Sequence, residues 1–193
     1  LLVFLLSCIQ DISSPYLGEC AVYPKDRYDY GQIGIGDCIS GPTELQFMTD
    51  EEGAWHLLLT NSNPYLSFDG GSLMSIPYAN IDFDSGKNII TDLGVSAFPL
   101  PSFAGPISLA RDNELALVGV RYSNDYRTRE ASDDVYLFDV QNPSEPQLTP
   151  QEKITVEFDP VDIVTDSRTG LSFVANRTSH DISVLDTNGE TVS

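Results

Sequence analysis

The side chains best placed to contact a ligand lie in one polar stretch between two predicted strands. Tyr122 and Tyr126 stand there with Arg127 and Arg129, beside a run of mixed charge from residue 124 to 134. Loops carry binding contacts more often than the strands that they connect. We therefore predict that a protein or small-molecule ligand, of a kind that the sequence does not identify, contacts these four residues.

A second stretch with chemical potential surrounds Asp82 and Asp84. Residues 82–88 alternate oxygen-bearing side chains around a glycine, which is a weak form of a calcium-binding loop. The stretch lacks the later bidentate glutamate of such loops, and a hairpin turn uses the same residue types. We favour the turn and keep these two carboxylates as weak metal candidates. The sequence gives evidence for no other cofactor, and calcium stays open.

The sequence does not predict a catalytic site. It contains no GxSxG nucleophile elbow, and its two histidines, His56 and His180, fall in different repeats with no serine or cysteine elbow nearby. His56 follows Trp55 in an apolar strand, where a hydrogen-bonded structural histidine is the expected role. No catalytic residue is therefore assigned.

The first cysteine follows an apolar run at the amino terminus. Residues 1–6 are all apolar but fall well short of the roughly 20 residues that span a bilayer. Leu5-Leu6-Ser7-Cys8 resembles the lipobox of bacterial lipoprotein precursors, and the resemblance implies that the Cys8 sulfur is acylated. We expect residues 1–8 to be the end of a signal peptide whose start is missing. The alternative is a buried cysteine at the end of a first strand.

The lipoprotein resemblance leaves Cys20 and Cys38 as two thiols in an exported protein. Disulfides persist outside the cytoplasm, so these two cysteines can form one bridge within a Gly- and Tyr-rich segment, residues 9–40. Free thiols and a metal pair are the alternatives. The absence of a CxxC motif and the small number of histidines argue against zinc.

The charge of the chain excludes one class of partner. Ten Lys and Arg residues stand against 29 Asp and Glu residues, for a formal net charge of -19. Nucleic acid is a poor partner, because phosphate binding depends on clustered Lys and Arg. The acidic surface is expected to keep the protein soluble; binding of calcium or cationic ligands is the alternative.

Short alternating runs that end at Gly, Asp, Asn or Pro predict an all-β protein, and no sustained helical period occurs. From residue 41 the chain repeats a pattern: a Pro-led strand that ends at Asp, a turn, an apolar strand, a polar loop and a third strand. The prolines of the two clearer copies, Pro106 and Pro160, are 160 − 106 = 54 residues apart. Asp112 and Asp166 are expected to begin tight turns. A weaker copy begins at Pro42.

This pattern resembles the β-propeller superfamily. The last copy is similar to the YVTN-type surface and lactonase-like propellers in three segments, which are residues 160–164, 171–176 and 182–186. In such a fold each four-stranded blade buries its apolar faces against its neighbours around a ring. The second strand of a blade meets protein on both sides, which accounts for nearly continuous apolar runs at residues 115–120 and 171–175.

The resemblance implies a partial propeller of about three four-stranded antiparallel blades over residues 41–193. We expect the fourth strand of the first blade at residues 81–83 or 89–91, and that of the second at residues 153–158. Three blades are fewer than a closed ring requires. We therefore expect the given sequence to be cut at both ends and to leave a broad apolar face unpaired.

Two functions follow as hypotheses. The favoured one is a bacterial envelope lipoprotein, anchored by lipid to the outer membrane and facing the periplasm or the outside, whose propeller is a non-enzymatic binding or scaffold module. The rival is a lactonase-like or quinoprotein-like enzyme with a metal or cofactor in the central channel of the propeller. The fold by itself does not choose between them.

Overall fold

The computed structural model describes residues 41–64, 70–81, 96–121, 133–144 and 146–187. Within these ranges the regular elements are strands, apart from two 3-10 turns at Tyr78–Asn80 and Arg111–Asn113. No helix in this part of the chain has the length and apolar character to cross a membrane. The predicted all-β class is confirmed. Outside the described residues lie Cys8, Cys20, Cys38, Asp82, Asp84, Tyr122, Tyr126, Arg127 and Arg129.

The strands form three antiparallel sheets, here called blades 1, 2 and 3, in which each strand pairs with the next one in sequence. Blade 1 contains β1 (Pro42–Thr49), β2 (Trp55–Asn61), β3 (Gly71–Pro77) and β4 (Ser96–Leu100). Blade 2 contains β5 (Ala104–Ala110), β6 (Leu115–Val120), β7 (Asp133–Asp139) and β8 (Gln147–Val156). Blade 3 contains β9 (Pro160–Asp166), β10 (Leu171–Asn176) and β11 (Asp181–Asp186).

The two fourth strands differ from the prediction. β4 lies beyond both predicted segments, with Leu100 opposite Gly71 and Pro99 opposite Ser72. β8 begins at Gln147, well before the predicted residue 153, and it contains Pro150. A proline has no N–H to donate and is tolerated at a sheet edge, where one side of the strand needs no partner. The predicted segment 153–158 overlaps the end of β8, whereas β4 and the start of β8 contain prolines, which are uncommon in strands.

The blades pack side by side through their apolar faces. β5 of blade 2 contacts β1 of blade 1 and β9 of blade 3. Between blades 1 and 2, Met48 and Leu58 join a buried cluster with residues of β5 and β6. Between blades 2 and 3, Leu117 and Leu137 pack with Ile163, Val174 and Leu185. The sheets thus bury their faces against one another, as the repeat pattern predicted.

The second strands show what this stacking requires. All six residues of β6 are buried, because blade 2 has a neighbour on each side. β10 was predicted to be equally covered, but it alternates: Val174 is buried whereas Phe173 is 37% exposed. One face of β10 therefore lacks a neighbouring blade within the described residues.

The predicted turn at Asp166 is confirmed, and the one at Asp112 is not. The Asp166 carboxylate accepts the Arg168 backbone N–H at 3.0 Å and the Thr169 hydroxyl at 2.8 Å. Asp112 lies inside the 3-10 turn of blade 2, where its φ is 54°. Asp166 pairs with the first residue of β10, and Ala110 pairs with the first residue of β6. By strand register, Ala110 is therefore the residue of blade 2 that is equivalent to Asp166.

We expect Leu117→Ala to lower the free energy of unfolding by about 3 kcal/mol, because the side chain is fully buried between two blades and its loss leaves a cavity. Leu117→Met keeps the volume and should cost less than about 1.5 kcal/mol. Urea unfolding of both variants measures the difference. Equal, small losses in both would contradict a tightly packed interface between blades 2 and 3.

Candidate functional site

Of the predicted binding stretch, the structure describes only Asp133 and Asp134, which lie at one end of the blades. We call this end of the blades the loop end. Here β2, β6 and β10 finish, at Asn61, Val120 and Asn176, and the chain also passes from one blade to the next. The connection between β6 and β7, which carries Tyr122, Tyr126, Arg127 and Arg129, leaves from Arg121 and returns at Asp133. The described residues thus form the base on which that connection stands.

A repeated backbone corner organises the loop end. The residue before the first strand of each blade is left-handed, and its carbonyl accepts the N–H of the residue after the second strand. The corner residues are Gly41, Phe103 and Asp159, with φ values of 65°, 67° and 70°. The N–H donors are Ser62 at 2.9 Å, Arg121 at 3.3 Å and Arg177 at 2.9 Å, respectively.

The spacing of the corners differs from the repeat length inferred from the prolines. Phe103 and Asp159 are 159 − 103 = 56 residues apart, two more than the spacing of the prolines. Pro106 lies inside β5, where the register with β6 shifts between Ala104 and Ile107, whereas Pro160 begins β9. Only Gly41 is a glycine, the residue type that adopts positive φ without strain, and sequence reasoning predicted none of the three corners.

Asp159 joins blade 2 to blade 3 through its side chain. The carboxylate accepts the Nε–H of Arg177 at 2.7 Å, the Nη1–H of Arg121 at 3.1 Å and the hydroxyl of Thr178 at 3.1 Å. Its own backbone N–H donates to the Asp133 carboxylate at 2.8 Å. Arg121 and Asp133 are the two ends of the β6–β7 connection, so one residue holds both ends.

The electrostatics of this cluster keep Asp159 charged. Burial acts to raise the pKa of the carboxyl, since the residue is only 7% exposed. Hydrogen bonds from Arg177, Arg121 and Thr178, together with the charge of Arg121, outweigh burial and hold the pKa below its ordinary value of 3.8. The cluster is therefore an ion-paired network at neutral pH.

A second buried carboxylate supports the same connection. Asp134 is completely buried at the start of β7 and accepts the Lys153 ammonium at 2.7 Å and the Thr155 hydroxyl at 2.8 Å. Of the five Lys and Arg residues that the structure describes, Arg121, Lys153 and Arg177 belong to these two adjoining networks. Positive groups are thus gathered at the loop end, where each is paired with a buried carboxylate.

The binding residues predicted from the sequence, Tyr122, Tyr126, Arg127 and Arg129, lie outside the described residues and stay a prediction. Arg121, Asp159 and Arg177 were not predicted, and no local motif marks them. The one available signal is that Arg121 and Arg177 both directly follow the second strand of their repeat.

His56, which was considered as a catalytic candidate, has a structural role. His56 is buried, with Nε2 3.6 Å from an Asp50 carboxylate oxygen and Nδ1 3.4 Å from the Ser75 hydroxyl. These are the residue types of a hydrolase triad, but Ser75 is 1% exposed within β3 and a substrate has no access to it. His56 is the structural histidine that was predicted. Among the described residues, no group of three His, Cys, Asp or Glu side chains is arranged to hold a metal.

The comparisons with known proteins concern the fold. The sequence matches no protein-family model and no curated protein. The structure is similar to the β-propeller domain of Cps50 (Swd1) from Myceliophteria thermophila, with 10% identity, a TM-score of 0.50 and coverage of 80% of this chain and 38% of that one. It also resembles Kuenenia stuttgartiensis hydrazine synthase, with 12% identity, a TM-score of 0.42 and coverage of 78% of this chain and 47% of that one. The chain has the fold of part of a β-propeller and spans 38% of the length of the Swd1 domain.

We expect Asp159→Asn to lower the free energy of unfolding by about 2 kcal/mol, because it removes the negative partner of two guanidinium groups at a mostly buried site. A carboxyl group whose pKa is lowered by folding stabilises the folded state at pH values above its ordinary pKa. This stabilisation is lost as the pH falls through the pKa of the folded state. The wild-type protein should therefore lose more stability than the variant as the pH falls from about 5 into the acid range.

The matched control for this experiment is Glu157→Gln, which changes an exposed carboxylate in the same link between blades. Urea midpoints of the three proteins, measured across the acid range, make the comparison. Wild type and Asp159→Asn with parallel pH profiles would contradict the assigned role of Asp159.

Proposed function

We propose that this chain is the binding or scaffold module of a bacterial envelope lipoprotein, with its ligand bound at the loop end. The single observation that carries the proposal is the anchoring of the β6–β7 connection at both of its ends by the Asp159 network. A binding loop loses less conformational entropy on binding when its base is already fixed. The rest of the fold supplies the rigid support.

Charge supports the choice of the loop end. Arg121 and Arg177 are only partly neutralised by sharing Asp159, and the Arg177 side chain is 66% exposed. The sequence adds Arg127 and Arg129 in the connection between β6 and β7. On a chain of net charge -19, these guanidinium groups, interspersed with carboxylates, can pair with carboxylate or other anionic groups of a ligand.

Membrane attachment is the second part of the proposal. The lipobox-like sequence that ends at Cys8 supports an acylated first residue of the mature protein, and residues 9–40 would then connect the lipid to blade 1. This arrangement keeps the module close to the outer membrane.

A photocrosslinking amino acid placed at position 126 should form a discrete adduct in intact cells that make the full-length protein. The same amino acid at Arg168, an exposed position at the opposite end of blade 3, should form none. The adduct at position 126 should weaken at least several-fold when Arg127 and Arg129 are both changed to Ala, because these residues are proposed to contact the ligand. Adducts of equal strength at both ends, or none at position 126, would refute a ligand at the loop end.

Cys8→Ser in the full-length precursor should move the protein from the detergent phase to the aqueous phase in a phase-partition assay, because the serine cannot carry the thioether-linked lipid. Cys20→Ser is the control for loss of a cysteine and should remain in the detergent phase. If Cys8→Ser partitions like the parent, the anchor is not at this residue. That result would leave the loop-end ligand untouched, so the two parts of the proposal can fail separately.

A further inference from the structure

Three exposed aromatic side chains meet at one corner of blade 1, and we call this group the aromatic corner. Phe47, Trp55 and Tyr78 are 54%, 55% and 43% exposed. The Phe47 ring lies edge-on to both other rings, with its centroid 6.4 Å from that of Trp55 and 6.2 Å from that of Tyr78. A cluster of large apolar side chains that stays exposed marks a place where another molecule binds.

The aromatic corner lies at the edge of a blade 1 face that the chain itself largely covers. On this face Leu59, Met74 and Ile76 are at most 2% exposed. After β3 the chain turns back onto the face: the 3-10 turn that follows β3 contacts β2, and Ile81 packs against the three buried residues. Tyr78 begins that turn. The corner is thus built by β1, β2 and the turn after β3.

An acidic turn borders the aromatic corner. The turn from β1 to β2 ends directly before Trp55, and the Asp50 carboxylate accepts its Glu52 N–H at 3.0 Å and its Ala54 N–H at 2.7 Å. These hydrogen bonds fix the backbone of the turn. Glu51 and Glu52 are exposed, and neither has an ion-pair partner in the described part of the chain.

Charge decides which kind of molecule fits the aromatic corner. The described residues of blade 1 and of the turn after β3 include four carboxylates, on Glu44, Asp50, Glu51 and Glu52, but neither a Lys nor an Arg. An ammonium or guanidinium group is attracted by the faces of aromatic rings and by carboxylates alike. An anionic group is repelled here, and an uncharged one gains nothing from the carboxylates.

We propose that the aromatic corner binds a Lys or Arg side chain of a partner protein. The cationic group lies against the exposed rings, and the Glu51 and Glu52 carboxylates neutralise it. The apolar surface continues along β1 to Leu45, which is 53% exposed, and this strip holds the partner residues next to the cation. The turn from β1 to β2 lies at the opposite end of blade 1 from the loop end, so this inference is independent of the ligand proposed there.

The first test titrates the full-length protein with soluble peptides of alternating Arg and Gly, of alternating Lys and Gly, and of alternating Leu and Gly. The signal is the emission of Trp55, isolated as the difference between wild type and Trp55→Phe. At least one cationic peptide should give a saturable change and bind about fivefold or more tightly than the Leu peptide. Equal binding of the Leu peptide makes the corner a purely apolar surface and overturns the proposal, as does a lack of response to both cationic peptides.

The second test separates the aromatic corner from the general acidity of the protein. The double variant Glu51→Gln and Glu52→Gln should weaken binding of the cationic peptide about fivefold or more, because it removes the carboxylates next to the rings. The double variant Glu152→Gln and Glu157→Gln is the matched control, since it removes the same charge from exposed positions of blade 2 and should change the affinity by less than about twofold. Equal losses in the two variants mean that binding follows net charge, and they overturn the proposal.

The role of the rings is tested by Phe47→Leu in the same titration. Leucine keeps the corner apolar but has no π face, so the variant should bind the cationic peptide about threefold or more weakly than wild type. Its affinity for the Leu peptide should not change. An unaltered affinity for the cationic peptide would show that the aromatic rings do not hold the cation, against the proposal.

Discussion

An apolar sheet face needs a second sheet to cover it, and this constraint governs the whole molecule. Each blade here is a simple antiparallel meander, which satisfies its backbone hydrogen bonds but leaves both faces uncovered. Blade 2 meets the constraint on both sides, so every residue of β6 is buried. Blade 3 meets it on one side within the described residues, and the burial of β10 alternates accordingly. Burial in this fold is therefore a property of pairs of blades.

Stacked blades also need a fixed path from one to the next, and the left-handed corners provide it. Each corner ties the start of a first strand to the end of a second strand through one backbone hydrogen bond. At Asp159 the side chain adds ion pairs to that bond, so the link between blades 2 and 3 is held by charge as well as by backbone. Positive φ at a non-glycine residue costs some energy, and the surrounding hydrogen bonds offset that cost.

The same link gathers guanidinium groups at one end of an acidic protein. A buried carboxylate with a lowered pKa draws guanidinium groups from two blades to one place. Arg177 remains largely exposed while one edge of its guanidinium is occupied. Stability and the proposed binding surface thus depend on one residue, so a change at Asp159 should affect both. The chemistry of the loop end follows from the packing of the blades.

The sequence by itself determined the all-β class, the repeat, most of the strands and the buried role of His56, because these depend on local alternation, turn residues and apolar content. It could not place β4 or the start of β8, where prolines are atypical of strands, nor the exact repeat length, because Pro106 lies inside a strand whereas Pro160 begins one. Only the tertiary structure brought Arg121, Asp159 and Arg177 together, since they come from three separate segments that meet when blades stack. Contacts between distant segments leave no periodic signal in a single sequence, and for that physical reason the base of the candidate site appeared only in the folded chain.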